Sequence, residues 1–172
     1  AGTSGAIDLS EARTMSDKHF LRPGEFYFGA NALVETLLGP CVAITLWFPE
    51  ALKGGICHFM LPDRYRHLPA HARDLDGRYG REAWLWLVQQ TRVHALALTD
   101  AEVKLFGGSR VLLGKDAPES QDIGSQNVAM ARECIGGAGL SISGCDVGGE
   151  GHRVLRFDLL TGEVWVRRGA SI

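Results

Sequence analysis

The sequence lacks several features that mark particular classes of protein. Its 172 residues carry a formal net charge of −2, so it has no basic excess of the kind that nucleic-acid-binding surfaces need. No apolar run approaches the ~20 residues of a membrane-spanning helix, so we expect no direct membrane insertion. The first residues also lack the basic and apolar regions of a signal peptide. These absences favour a cytoplasmic protein that does not bind nucleic acid.

The cysteines lack the CxxC spacing of zinc sites and of thioredoxin-type redox pairs. They lie far apart in the chain, at Cys41, Cys57, Cys134 and Cys145. In a reducing cytosol, unpaired thiols are mostly small buried hydrophobic residues, so we expect at most one or two to be reactive. No metal or organic cofactor is predicted.

The length fits one domain, and the order of predicted elements indicates its class. Residues 1–18 are small and polar and are predicted to form a loose tail, followed by a single domain over 19–172. Apolar alternation and turn residues predict strands at 26–28, 31–38, 42–48, 56–61, 102–106, 140–147, 152–159 and 164–168. Helical periodicity predicts helices at 79–97 and 123–135, the second with Asp122 as its N-cap.

Glycines define two of the predicted turns. Gly54-Gly55 is predicted to form the turn between two strands, and Gly162 to form a hairpin turn near the end of the chain. The order of elements is not an alternating βαβ series, which disfavours a doubly wound parallel sheet. The prediction is an α+β domain, with a mixed sheet packed by two main helices.

A cysteine and a histidine on neighbouring predicted strands suggest thiol chemistry. Cys41 immediately precedes the apolar run VAITLWF, and His58 lies in the following run, ICHFML. A nucleophilic thiol needs a base or a favourable field, which His58 could supply as a hydrogen-bonded base or as an imidazolium partner. Cys57 is adjacent to His58, but neighbouring strand residues face opposite sides, which favours Cys41. The alternative is that both are core residues, as most buried cysteines and strand histidines are.

The residues before Cys41 offer the remaining parts of such a site. Thr36 or Glu35 could orient the imidazole, as a third group does in nucleophile–histidine sites. The backbone N–H groups of Cys41 and Val42 are candidate oxyanion donors, whereas Pro40 has no N–H to offer.

Several strings together resemble one known family. They are LRPGEFYFG, TLLGPCVAITLW, GGICHFMLP, KLFGG, IGSQN and DVGGEGHRVLRFDLLTGEVWVR, in this order over about residues 19–168. This series resembles the chemoreceptor glutamine deamidases, the CheD family. The resemblance implies a cytoplasmic enzyme that hydrolyses glutamine side-chain amides on methyl-accepting chemotaxis receptors. It also implies a deamidase-like catalytic domain with mixed β-sheets in a sandwich-like core, related in fold to bacterial toxins that deamidate glutamine. A CheC-type phosphatase is the partner that the resemblance implies.

The resemblance places the family cysteine on Cys41 and the family histidine on His58. The family threonine falls on Thr36, although an ungapped alignment puts Glu35 there. Pro40 departs from the serine usual in the family. Two other functions remain open: a non-catalytic module that docks a receptor or the phosphatase, and a methylesterase acting on receptor glutamyl esters.

Overall fold

The computed structural model describes residues 17–111 and 118–169. Residues 1–16, most of the predicted tail, lie outside the described residues. Within the described ranges the chain forms nine strands, two α-helices and three short 3-10 turns. The strands are β1 Lys18–Phe20, β2 Phe26–Gly29, β3 Leu33–Leu38, β4 Val42–Phe48, β5 Lys53–Phe59, β6 Glu102–Gly107, β7 Ile142–Val147, β8 Arg153–Asp158 and β9 Val164–Arg168. The helices are α1 Gly80–Val93 and α2 Ile123–Gly137.

The strands form two mixed sheets, which confirms the predicted α+β class. One sheet has the order β1-β3-β8-β9 and the other the order β2-β5-β4-β6-β7. Each sheet contains one parallel pair, β1 with β3 and β6 with β7, and its other pairs are antiparallel. Neither α-helix of the described ranges is both long and apolar enough to cross a membrane.

Strand β4 is the centre of the molecule because every one of its residues is buried. Val42, Ile44 and Leu46 pack in a core with residues of both helices. Ala43 and Trp47, on the opposite face, pack in a second core with residues of the four-stranded sheet. Because side chains alternate along a strand, a strand covered on both sides is apolar throughout. The odd-numbered face of β4 therefore points between the two sheets.

Local features of the chain explain where α2 begins and where α1 ends. Asp122 caps α2, as predicted, and its carboxylate accepts a hydrogen bond from the backbone N–H of Ser125 at 3.0 Å. Helix α1 is shorter than predicted and ends at Val93. Ala95 lies in the left-handed region at φ 56°, which a continuing right-handed helix does not allow.

The predicted turn at Gly54-Gly55 is wrong, because both glycines lie inside β5. The chain reverses earlier, and Leu52 there adopts φ 52°. A Cβ on Gly54 would collide with the backbone oxygen of Leu46 on β4, so the glycine allows close strand packing. The predicted hairpin turn at Gly162 is confirmed: it has φ 80° and lies between the antiparallel strands β8 and β9.

Candidate active site

Cys41 and His58 lie on the same face of the five-stranded sheet. Strands β4 and β5 pair antiparallel, and Ala43 is directly opposite His58. Cys41 precedes Ala43 by two residues, so the two side chains point to the same face of the sheet and Cys41 lies diagonal to His58. Both Cys41 and Ala43 pack in the core between the sheets. The two side chains expected to form a nucleophilic pair are therefore on one surface of neighbouring strands.

Cys57 faces the other side, as the sequence predicted. It is fully buried in the core beneath the helices. Burial raises the pKa of its thiol to about 12, so it remains protonated at neutral pH. Cys57 is thus an inert core residue despite its position next to His58.

Thr36 reaches His58 from the opposite sheet. Its Oγ1 is 2.7 Å from the imidazole Nδ1, and the same hydroxyl donates a hydrogen bond to the Leu21 carbonyl at 2.6 Å. A carbonyl can only accept, so the single hydroxyl hydrogen goes to Leu21. Nδ1 must then carry the imidazole hydrogen and donate it to Thr36. This network assigns the Nδ1–H tautomer and leaves a lone pair on Nε2.

The free nitrogen of His58 has the properties of a base. The residue is 1% exposed, and its Nε2 has no hydrogen-bond partner within the described part of the chain. Burial lowers the pKa of the imidazole from 6.5 to about 4, because the charged form loses its hydration. At neutral pH His58 is therefore uncharged and can accept a proton at Nε2.

The Cys41 thiol is also uncharged at rest. It is partly buried, and desolvation raises its pKa, an effect that its own backbone N–H partly offsets. Because the pKa of Cys41 is raised and the pKa of His58 is lowered, the pair consists of a thiol and a neutral imidazole. Of the two roles left open for His58, the base fits this electrostatic environment and the imidazolium partner does not.

Glu35 does not take the position of Thr36. Its carboxylate is 3.3 Å from Arg156 on the outer face of the four-stranded sheet. Thr36 is fully buried on the inner face of the same strand. Alternation along β3 separates the two side chains, so the geometry brings Thr36 and not Glu35 to the imidazole.

A glycine-rich segment holds the backbone around Cys41. Gly108 donates its N–H to the Cys41 carbonyl at 2.8 Å, and Ser109 donates to the Gly39 carbonyl at 3.1 Å. Gly107 has φ 104°, and a Cβ on it would collide with the Cys41 carbonyl. The sequence alone does not indicate that these glycines contact Cys41, so this contact was not predicted.

Asn127 of α2 makes a second set of contacts near Cys41 that the sequence did not predict. Its side-chain Nδ2 donates to the carbonyls of Pro40 and Met60, at 3.0 and 2.9 Å. These carbonyls flank the segments that carry Cys41 and His58. The IGSQN string contains this asparagine, but nothing in the string indicates which carbonyls it meets.

The chain is similar to a set of curated proteins and to one family model. The model, described as CheD chemotactic sensory transduction, matches residues 60–168. "Probable chemoreceptor glutamine deamidase CheD 3" of Dechloromonas aromatica is 41% identical over 92% of this chain and 91% of that protein. "Probable chemoreceptor glutamine deamidase CheD 1" of Chromobacterium violaceum is 39% identical over 87% of this chain and 76% of that protein. A Pseudomonas fluorescens relative with the same enzyme name is 42% identical over 86% and 82%.

Proposed function

The chain belongs to the CheD family, and from this premise we propose that it hydrolyses the side-chain amides of specific glutamines on methyl-accepting chemotaxis receptors. The products are glutamate side chains and ammonia. The substrate is taken from the names of the relatives. The observation that carries the chemistry is the hydrogen-bonded series from Leu21 through Thr36 to His58, which leaves a buried basic nitrogen on the face where Cys41 lies.

In the first half-reaction, the Cys41 thiol gives its proton to Nε2 of His58 as sulfur attacks the carboxamide carbon. The tetrahedral intermediate then collapses and breaks the carbon–nitrogen bond. The leaving nitrogen takes the proton from the imidazolium and departs as ammonia. What remains is a thioester between Cys41 and the former glutamine side chain.

The second half-reaction regenerates the enzyme. Nε2 of His58 takes a proton from water as the water oxygen attacks the thioester. The carbon–sulfur bond then breaks, and the Cys41 thiolate takes that proton back from the imidazolium. Thr36 acts through the tautomer, because its oxygen keeps the hydrogen on Nδ1. The backbone N–H of Cys41 serves as an oxyanion donor, whereas Pro40 offers no N–H. None of these steps calls on a cofactor.

The family also suggests where and with what the protein works. The cytoplasmic signalling bundle of a receptor is the substrate, so the reaction takes place in the cytoplasm. A CheC-type phosphatase is the proposed regulatory partner. Both assignments rest on family membership.

The test is ammonia release from a purified receptor cytoplasmic fragment, with the mass of the fragment followed in parallel. Wild type should release ammonia and add about 1 Da to the fragment for each glutamine hydrolysed. His58→Ala should bind the fragment and release no ammonia. A wild-type protein that binds the fragment without any mass change would contradict the proposal and indicate a docking module. Methanol release from a methylated fragment, with no ammonia from the amide, would indicate a methylesterase.

A further inference from the structure

The ladder between β4 and β5 ends immediately before the candidate nucleophile. Its last pair is Val42 with Phe59, and beyond it the Pro40 and Met60 carbonyls both point at the side chain of Asn127. Pro40 has no N–H, so it cannot continue the ladder as a donor. The fully buried Asn127 side chain therefore supplies a donor to both carbonyls at the point where the ladder stops.

The asparagine is held on a rigid support. Asp122 caps the first turn of α2 and also accepts the N–H of Val111 at 3.0 Å. Gly124 in the same turn is pressed against the carbonyls of Gly108 and Ser109, so closely that a Cβ would not fit. The position of Asn127 is therefore fixed relative to the backbone around Cys41.

Asn127 acts on the site through its side-chain NH2 group, which donates to both carbonyls. The side chain is fully buried, and both Nδ2 contacts are of ordinary hydrogen-bond length. Its Oδ1 has no hydrogen-bond partner among the described residues. An apolar residue would fill this space without an unsatisfied oxygen, so packing alone does not explain an asparagine here.

We propose that Asn127 is a positioning residue that sets the distance between the Cys41 thiol and the His58 imidazole. It does so by joining the start of β4 to the end of β5 through one side-chain NH2 group. Pro40 is adjacent to Cys41, and Met60 follows His58 by two residues, so a shift of either strand end moves a reacting group. This inference rests on the proposed function only in taking the thiol and imidazole as the reacting pair.

The proposal is tested first by kinetics on the receptor fragment. Asn127→Asp keeps the volume but presents oxygen to both carbonyls, so kcat should fall about a hundredfold while KM stays within about twofold. Gln126→Ala is the matched control, because Gln126 is exposed, lies next to Asn127 on α2, and its side chain donates to the Ser120 carbonyl and not to the strand ends. It should leave both constants unchanged. Wild-type kcat in Asn127→Asp, or a loss confined to KM, would overturn the proposal.

A second readout does not depend on deamidation. Iodoacetamide alkylation of Cys41, followed by peptide mass, reports how well His58 assists the thiol. His58→Ala and Asn127→Asp should each slow alkylation, and the double variant should be no slower than His58→Ala alone, because both changes disable one unit. Additive slowing would overturn the proposal. If Asn127→Asp does not fold, Asn127→Ser retains one donor and should show the same coupling at smaller amplitude.

The two proposals fail separately. Coupled alkylation in a wild type that releases no ammonia would leave the positioning role standing and remove the deamidase function. Ammonia release with uncoupled alkylation would support the deamidase function and overturn the positioning role of Asn127.

Discussion

Acidification should destabilise the fold through His58. The pKa of the buried imidazole is about 4, against 6.5 for an unperturbed histidine. Between these values the unfolded chain binds a proton that the folded protein does not, so stability must fall as the pH falls. The contribution is complete above about pH 6.5 and is lost as the pH approaches about 4. By about pH 4.5 the loss should be roughly 2.5 kcal/mol.

The assay is urea unfolding of wild type and His58→Gln at about pH 7.5 and about pH 4.5. Glutamine keeps a donor for Thr36 and cannot titrate, and every other residue is identical in the two proteins. Wild type should therefore lose about 2.5 kcal/mol more than the variant on acidification. Parallel losses in the two proteins, equal within about 0.5 kcal/mol, would refute both the low pKa and the neutral-base role that depends on it.

Three further changes have defined outcomes. Thr36→Val should lower kcat about a hundredfold in a folded protein, measured as ammonia release, whereas Thr91→Val, which also removes a hydroxyl that donates to a carbonyl, should not. Gly54→Ala should lower the free energy of unfolding by about 2 kcal/mol through its clash with β4. Gly136→Ala should raise it by up to about 1 kcal/mol, because the new methyl group lies in a helix and meets no atom of the described residues. Glu82→Gln removes the buried carboxylate that pairs with two arginines, so it should cost on the order of 2 kcal/mol in urea unfolding.

The sequence predicted the centre of the fold well because the signals there are local. The apolar run at 42–48 reads as a strand covered on two sides, and β4 is buried throughout. The Asp122 cap and the Gly162 turn each depend on a few neighbouring residues. Strand β1 was not predicted, because three residues carry no measurable alternation and their pairing with β3 is tertiary.

The errors and omissions arise where the outcome depends on tertiary packing and not on neighbouring residues in the sequence. A glycine pair can form a turn or allow close strand contact, and only the packing of Gly54 against β4 separates these cases. The choice between Thr36 and Glu35 depends on which face of β3 points toward the other sheet, and the sequence does not indicate this. Asn127 could not be found from sequence because its partners lie 87 and 67 residues away.

The most direct test compares two cysteine variants on one receptor fragment. Cys41→Ala should abolish ammonia release, because the only thiol on the His58 face of the paired strands is gone. Cys57→Ala, which changes the thiol adjacent to His58 on the opposite face, should retain activity in the fraction that folds, judged by circular dichroism. This result would establish Cys41 as the nucleophile. Deamidation that survives Cys41→Ala, or is lost only with Cys57→Ala, would contradict the account.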